Sequence, residues 1–106
     1  MRKSILTDNL EVSYLSGRPA ECIHHIYGGA GRRKISEREG FIVPLTNAEH
    51  NMSNQGVHFN KKLDLWFKCL CQSIYEKTHT REEFIKLIGR SYLDDESEEN
   101  ENGSKG

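Results

Sequence analysis

The run Cys22-Ile23-His24-His25-Ile26-Tyr27, stopped at once by Gly28-Gly29, constrains this chain more than any other stretch. Apolar and aromatic residues at this density read as a strand packed on a core, and the two glycines end it. The same run sets two adjacent histidines beside a glycine-rich, basic stretch. Four of the five histidines, His24, His25, His50 and His58, fall within one 35-residue window. Imidazole is the commonest metal ligand and the side chain that titrates nearest neutrality. Any one of these residues alone has a ready structural explanation. The four together, next to cations, point to metal-assisted chemistry on an anion.

Around that run the chain reads in order. Residues 1–11 carry little signal. Residues 10–15 alternate weakly and Ser16-Gly17-Arg18-Pro19 is a turn by composition, so residues 20–27 are expected to be the second strand of a hairpin. Residues 28–40 are glycine-rich, carry Arg32, Arg33, Lys34 and Arg38, and are expected to form a charged loop. Phe41-Ile42-Val43-Pro44-Leu45 predicts a short strand, with Pro44 marking an edge or an end. Thr46-Asn47-Ala48-Glu49 has the spacing of a capping box and predicts a short helix over residues 47–52.

The strongest periodicity follows. Leu63, Trp66, Phe67, Leu70, Ile74 and Tyr75 recur at three- and four-residue steps, which predicts one core-facing helix stripe with Asn60 as N-cap. Thr80-Arg81-Glu82-Glu83 is a second capping box. It opens a helix expected to turn Phe84, Ile85, Leu87 and Ile88 inward and to end near Gly89.

At 106 residues, with 35% apolar and 29% charged residues, the chain supports one domain with a modest core. No apolar run approaches a membrane-spanning length, and no signal-like segment is expected after Met1-Arg2-Lys3. Cys69 and Cys71, two apart in a helical segment, do not face each other, so reduced thiols and a cytoplasmic setting are expected. The net charge of −1 hides an asymmetry. Residues 94–106 carry six acids and one base, leaving a body of 14 bases and 10 acids, net +4. A mildly basic body with an acidic tail fits a protein that meets polyanions, and it also fits plain solubility.

The pattern His24-His25-Ile26, a basic glycine-rich stretch, Val43-Pro44-Leu45, His50 and Val57-His58-Phe59 resembles the HNH endonucleases of the ββα-metal fold, most closely a small phage-type branch. The resemblance covers roughly residues 5–93. It implies an α+β fold: a ββα-metal core of a short β-hairpin plus helix, followed by two packing C-terminal helices. Residues 1–93 would be the nuclease domain and residues 94–106 a disordered acidic tail. Carried over from the family, His25 is the general base, and His24, His50 and His58 hold one divalent metal ion. Arg32 and Arg33, then Lys34 and Arg38, would contact DNA phosphates. The implied partners are DNA and, with it, phage recombination or packaging proteins, in the cytoplasm of a bacterial host and with no membrane.

The chain departs from the family in four places. Adjacent strand residues point to opposite faces, so His24 and His25 serve one site only where the strand ends or twists. Many relatives carry aspartate where His24 stands, and an all-imidazole set suits Zn²⁺, Ni²⁺, Mn²⁺ or Co²⁺ better than Mg²⁺. The family's middle asparagine has three candidates here, Asn47, Asn51 and Asn54. Finally, the thiols of the structural zinc common among relatives would fall near Ser13, Ser16, Thr46 and Glu49, none of them a cysteine. A fold without structural zinc is therefore expected, with capping and packing in its place, and Cys22 as a small buried residue. The alternative to a nuclease is a non-catalytic nucleic-acid-binding protein on the same fold. That reading leaves the paired histidines without a role. A zinc-binding regulatory domain is disfavoured by the missing thiols.

Overall fold

Two short strands carry the centre of the molecule. The computed structural model describes residues 2–52 and 60–93. Strand β1 (Cys22–His25) pairs antiparallel with β2 (Ile42–Leu45), in the register Cys22↔Leu45, Ile23↔Pro44, His24↔Val43 and His25↔Ile42. Between them in sequence lies helix α1 (Arg32–Glu39). After β2 comes a π-helical turn, Ala48–Met52, and then helices α2 (Lys61–Tyr75) and α3 (Arg81–Ile88). The architecture is a small α+β fold.

Every residue of β2 is buried, as its unbroken apolar run requires. The core joins Ile26, Tyr27, Phe41, Val43 and Leu45 to Phe67, Cys71 and Tyr75 of α2 and to Phe84 and Ile88 of α3. Its aromatic rings meet edge to face: Tyr27 lies 5.4 Å from both Phe41 and Phe84, and Phe41 lies 5.5 Å from Tyr75. The Tyr27 hydroxyl donates to the Lys68 carbonyl at 2.6 Å. The fully buried Gln72 amide donates to Glu76 and Ser91 and accepts from the Tyr92 N–H, so it ties α2 to the segment after α3 without an unmet polar group.

The local signals around α2 and α3 match the structure. Asn60 caps α2 through the Leu63 N–H, and the Thr80/Glu83 capping box closes in both directions. Thr46 and Glu49 form the earlier box, with Thr46 N–H to Glu49 at 2.9 Å and Glu49 N–H to Thr46 Oγ1 at 3.2 Å.

Three expectations are corrected. First, residues 20–27 do not pair with residues 10–15. Residues 10–15 make only an isolated bridge, Val12↔Pro19, and one backbone bond from Ala20 N–H to the Glu11 carbonyl, and β1 instead pairs with β2. The fully buried β2 offers far more apolar surface than the weakly alternating residues 10–15. Second, residues 28–40 are not a loop throughout, because residues 32–39 form α1. With Ile35 its one apolar side chain, α1 has no stripe to read, and tertiary contacts hold it. The buried Ser36 hydroxyl accepts from the Tyr27 N–H at 3.2 Å and donates to the Tyr27 carbonyl at 2.7 Å. Gly40, at φ +82°, ends the helix where a Cβ would come within 2.9 Å of the Lys3 carbonyl. Third, Trp66 is 48% exposed and Ile85 38% exposed, although both belong to the predicted stripes. A two-stranded sheet is too narrow to cover so wide an apolar arc. The buried face of α2 runs through Phe67, Cys71 and Tyr75.

Candidate active site

The strand ends where the histidines lie. His24 is 4% exposed and turns inward, its ring 5.2 Å from His50 and 6.0 Å from Phe67. His25, the last residue of β1, turns towards α1, with Nε2 2.7 Å from Glu37 Oε1. Opposite facing is what alternation demands. Because the strand stops at His25 and the chain bends through residues 26–29, both rings nevertheless line one cleft of about 220 Å³, together with Ile23, Gly28, Gly29, Arg33 and His50. His50 reaches it from the π-helical turn after β2. His58 lies outside the described residues, as do Asn54 and the whole of residues 94–106.

A second, wider cleft of about 570 Å³ adjoins the first at His25 and Arg33, and is lined also by Arg2, Gly31, Lys34 and Glu37. Helix α1 supplies most of this wall. Its first turn is Arg32-Arg33-Lys34 with no acid, and Gly31 at φ +81° leaves it without a side-chain cap. Arg33 and Glu37 lie four residues apart and so share a helix face. Of the four basic residues expected at phosphates, Arg33 lines both clefts and Lys34 the wider one. Arg32 extends over Gly89, where a Cβ would come within 3.3 Å of its Nη2. Arg38 pairs with Glu39 at 3.0 Å and borders a separate groove beside Lys3 and Gly40.

Glu37 has no counterpart in the sequence reading. Arg2 grips its carboxylate with Nε at 2.8 Å and Nη2 at 3.1 Å. The Arg2 guanidinium first, then His25, holds the Glu37 carboxyl below the usual carboxylate range. The i, i+4 relation of Arg33 and Glu37 becomes a signal only once residues 32–39 are known to be helical.

Ser13, Ser16, Thr46 and Glu49, where the sequence lacks thiols, carry a hydrogen-bonded cluster. The buried Ser13 hydroxyl donates to Glu49 at 2.5 Å and accepts from the Leu15 and Ser16 N–H groups. Burial pushes the Glu49 carboxyl up, but the hydrogen bonds from Ser13 and Thr46 outweigh it and leave it lowered. The cluster clamps residues 13–16 to the turn that carries His50. Cys22, half-buried beside it, points its thiol at the Leu45 carbonyl at 3.5 Å. None of the three cysteines forms a disulfide.

The donor set bears on a metal. A nitrogen–metal distance of about 2.0–2.1 Å puts each ring centre about 3.2 Å from an ion. Two such imidazoles at a tetrahedral angle then stand about 5 Å apart, close to the 5.2 Å between His24 and His50. The same spacing is that of an ordinary edge-to-face contact between two rings. No group of three potential ligands occurs among the described residues, and the third expected ligand, His58, is not among them.

Compared with protein-family models, with curated proteins and with solved structures, the chain gives no match.

Proposed function

We propose that this domain is a metal-dependent endonuclease that hydrolyses DNA phosphodiester bonds, built on a ββα-metal core of β1, β2 and the turn carrying His50. The observation that carries the reading is the meeting of His24, His25, His50 and Arg33 in one cleft, with the two inner rings at a spacing that suits a shared ion. His24 and His50, with His58, would hold one divalent ion. When bound, that ion supplies Lewis-acid stabilisation of the charge developing on the phosphate.

The remaining work falls to the chain's own side chains. His25 takes a proton from the attacking water. The oxygen so freed bonds to phosphorus while the bond to the 3′ oxygen breaks, and that oxygen leaves with the electron pair and takes a proton from solvent. Arg33 and Lys34 hold the flanking phosphates, and their wide, open cleft suits a polymer better than a small molecule. The sequence carries no helix-turn-helix or finger array for reading base edges, so specificity would come from DNA structure or from a partner such as a phage recombination or packaging protein. No helix of the described residues is long and apolar enough to cross a membrane.

Plasmid nicking with Mg²⁺, Mn²⁺, Ni²⁺, Co²⁺ and Zn²⁺ in parallel tests the reading. Cleavage is expected with at least one ion, lowered about 10²- to 10⁴-fold by His25→Ala, the usual contribution of a general base. No cleavage with any ion, together with salt-sensitive DNA binding, would replace it with a non-catalytic nucleic-acid-binding protein.

A further inference from the structure

We infer that Glu37 is the positioning residue of His25: its carboxylate, anchored by Arg2, fixes the proton on Nε2 and leaves Nδ1 as the nitrogen that accepts one. The inference rests on the reading of His25 as the base. An ionised carboxylate has no proton to give, so the 2.7 Å contact is a hydrogen bond donated by Nε2–H to Oε1. In the neutral ring that bond leaves the lone pair on Nδ1. A working base needs its other nitrogen held in this way, because an imidazole free to flip presents the wrong atom part of the time.

The surroundings favour this role over an incidental ion pair. His25 is only 11% exposed on its side chain, so its ring has little freedom beyond the contact. Glu37 is itself gripped by Arg2 in two prongs, Nε on Oε2 and Nη2 on the same Oε1 that meets His25, the fork geometry that gives arginine its specificity. When Nδ1 takes a proton from water, the new imidazolium lies directly against a carboxylate that balances its charge. Helix α1 therefore carries two functions on one face, with Arg33 towards the phosphate and Glu37, one turn on, towards the base.

The proposal is tested on the full-length, metal-free protein by proton NMR. A ring N–H held by a carboxylate resonates far downfield and exchanges slowly. That resonance is expected in the wild type, lost in Glu37→Ala and in His25→Gln, and kept in His50→Ala. Its absence from the wild type, or its survival in Glu37→Ala, would overturn the proposal. Single-turnover cleavage supplies the second readout. Glu37→Ala should slow the step about 10- to 100-fold, as for carboxylates that orient metal-bound histidines, with metal affinity unchanged and DNA affinity no weaker, since the cleft loses an acid and Arg2 is freed. Glu37→Gln, which keeps an acceptor but not the charge, should fall between. A Glu37→Ala rate equal to wild type would equally overturn it. If the wild type cuts nothing, the nuclease reading fails, and the resonance still decides whether Glu37 positions His25.

Discussion

Helices α1 and α3 are both eight residues long, and they are built on opposite principles. Helix α3 obeys every local rule: a reciprocal Thr80/Glu83 box, acids Glu82 and Glu83 at its positive end, Lys86 near its negative end, and Gly89 at φ +105° to stop it. Helix α1 ends by the same rules, at Gly40 with Arg38 in its last turn, but breaks them at its start. Its start has no side-chain cap, and three cations crowd the end of the dipole that already carries partial positive charge. What holds it is tertiary, the paired hydrogen bonds between Ser36 and the Tyr27 backbone and the close approach of Gly40 to Lys3. The difference teaches where a small fold spends stability. Helix α3 closes the core, whereas α1 presents cations and a carboxylate to the clefts beside the histidines.

Three substitutions break or sharpen that contrast. The largest effect is expected from Ser36→Ala, which strips partners from a buried backbone N–H and carbonyl and should cost about 1–3 kcal/mol in urea unfolding. A loss no larger than that of an exposed serine would mean that α1 stands on its own propensity. Thr80→Ala should cost about 1 kcal/mol, the ordinary worth of an N-cap, and should leave DNA binding untouched. Weakened DNA binding there would show that α3 is more than a structural helix. Smallest in stability is Arg33→Glu. The gain from an acid at the first turn is offset by repulsion from Glu37 four residues on, so stability should change by less than about 0.5 kcal/mol while DNA affinity falls. Should affinity hold, the idea that α1 presents Arg33 to phosphate is wrong.

Legibility followed the range of the forces involved. The caps at Asn60, Thr80 and Thr46 could be read because each joins residues three apart, and the strand over residues 42–45 because its apolar run is continuous. Helix α1 could not be read, since its support comes from Tyr27 and Lys3 rather than from its own pattern. The predicted stripes named the helices but overreached at Trp66 and Ile85, because periodicity reports which residues are apolar and not how much partner surface exists to cover them.

The site divides in the same way. Histidine type and clustering along the chain singled out His24, His25, His50 and His58, and the bend after His25 is foreshadowed by Gly28-Gly29. The chain by itself determined which imidazoles and cations are available and where α2 and α3 begin, because those follow from residue type and neighbours within one turn. Tertiary structure alone decided that β1 pairs with β2, that Arg33 rather than Arg38 faces the clefts, and that Glu37 and Arg2 meet at His25. Each of these depends on packing distant segments around one shared core, and contacts of that range leave no mark in local sequence spacing.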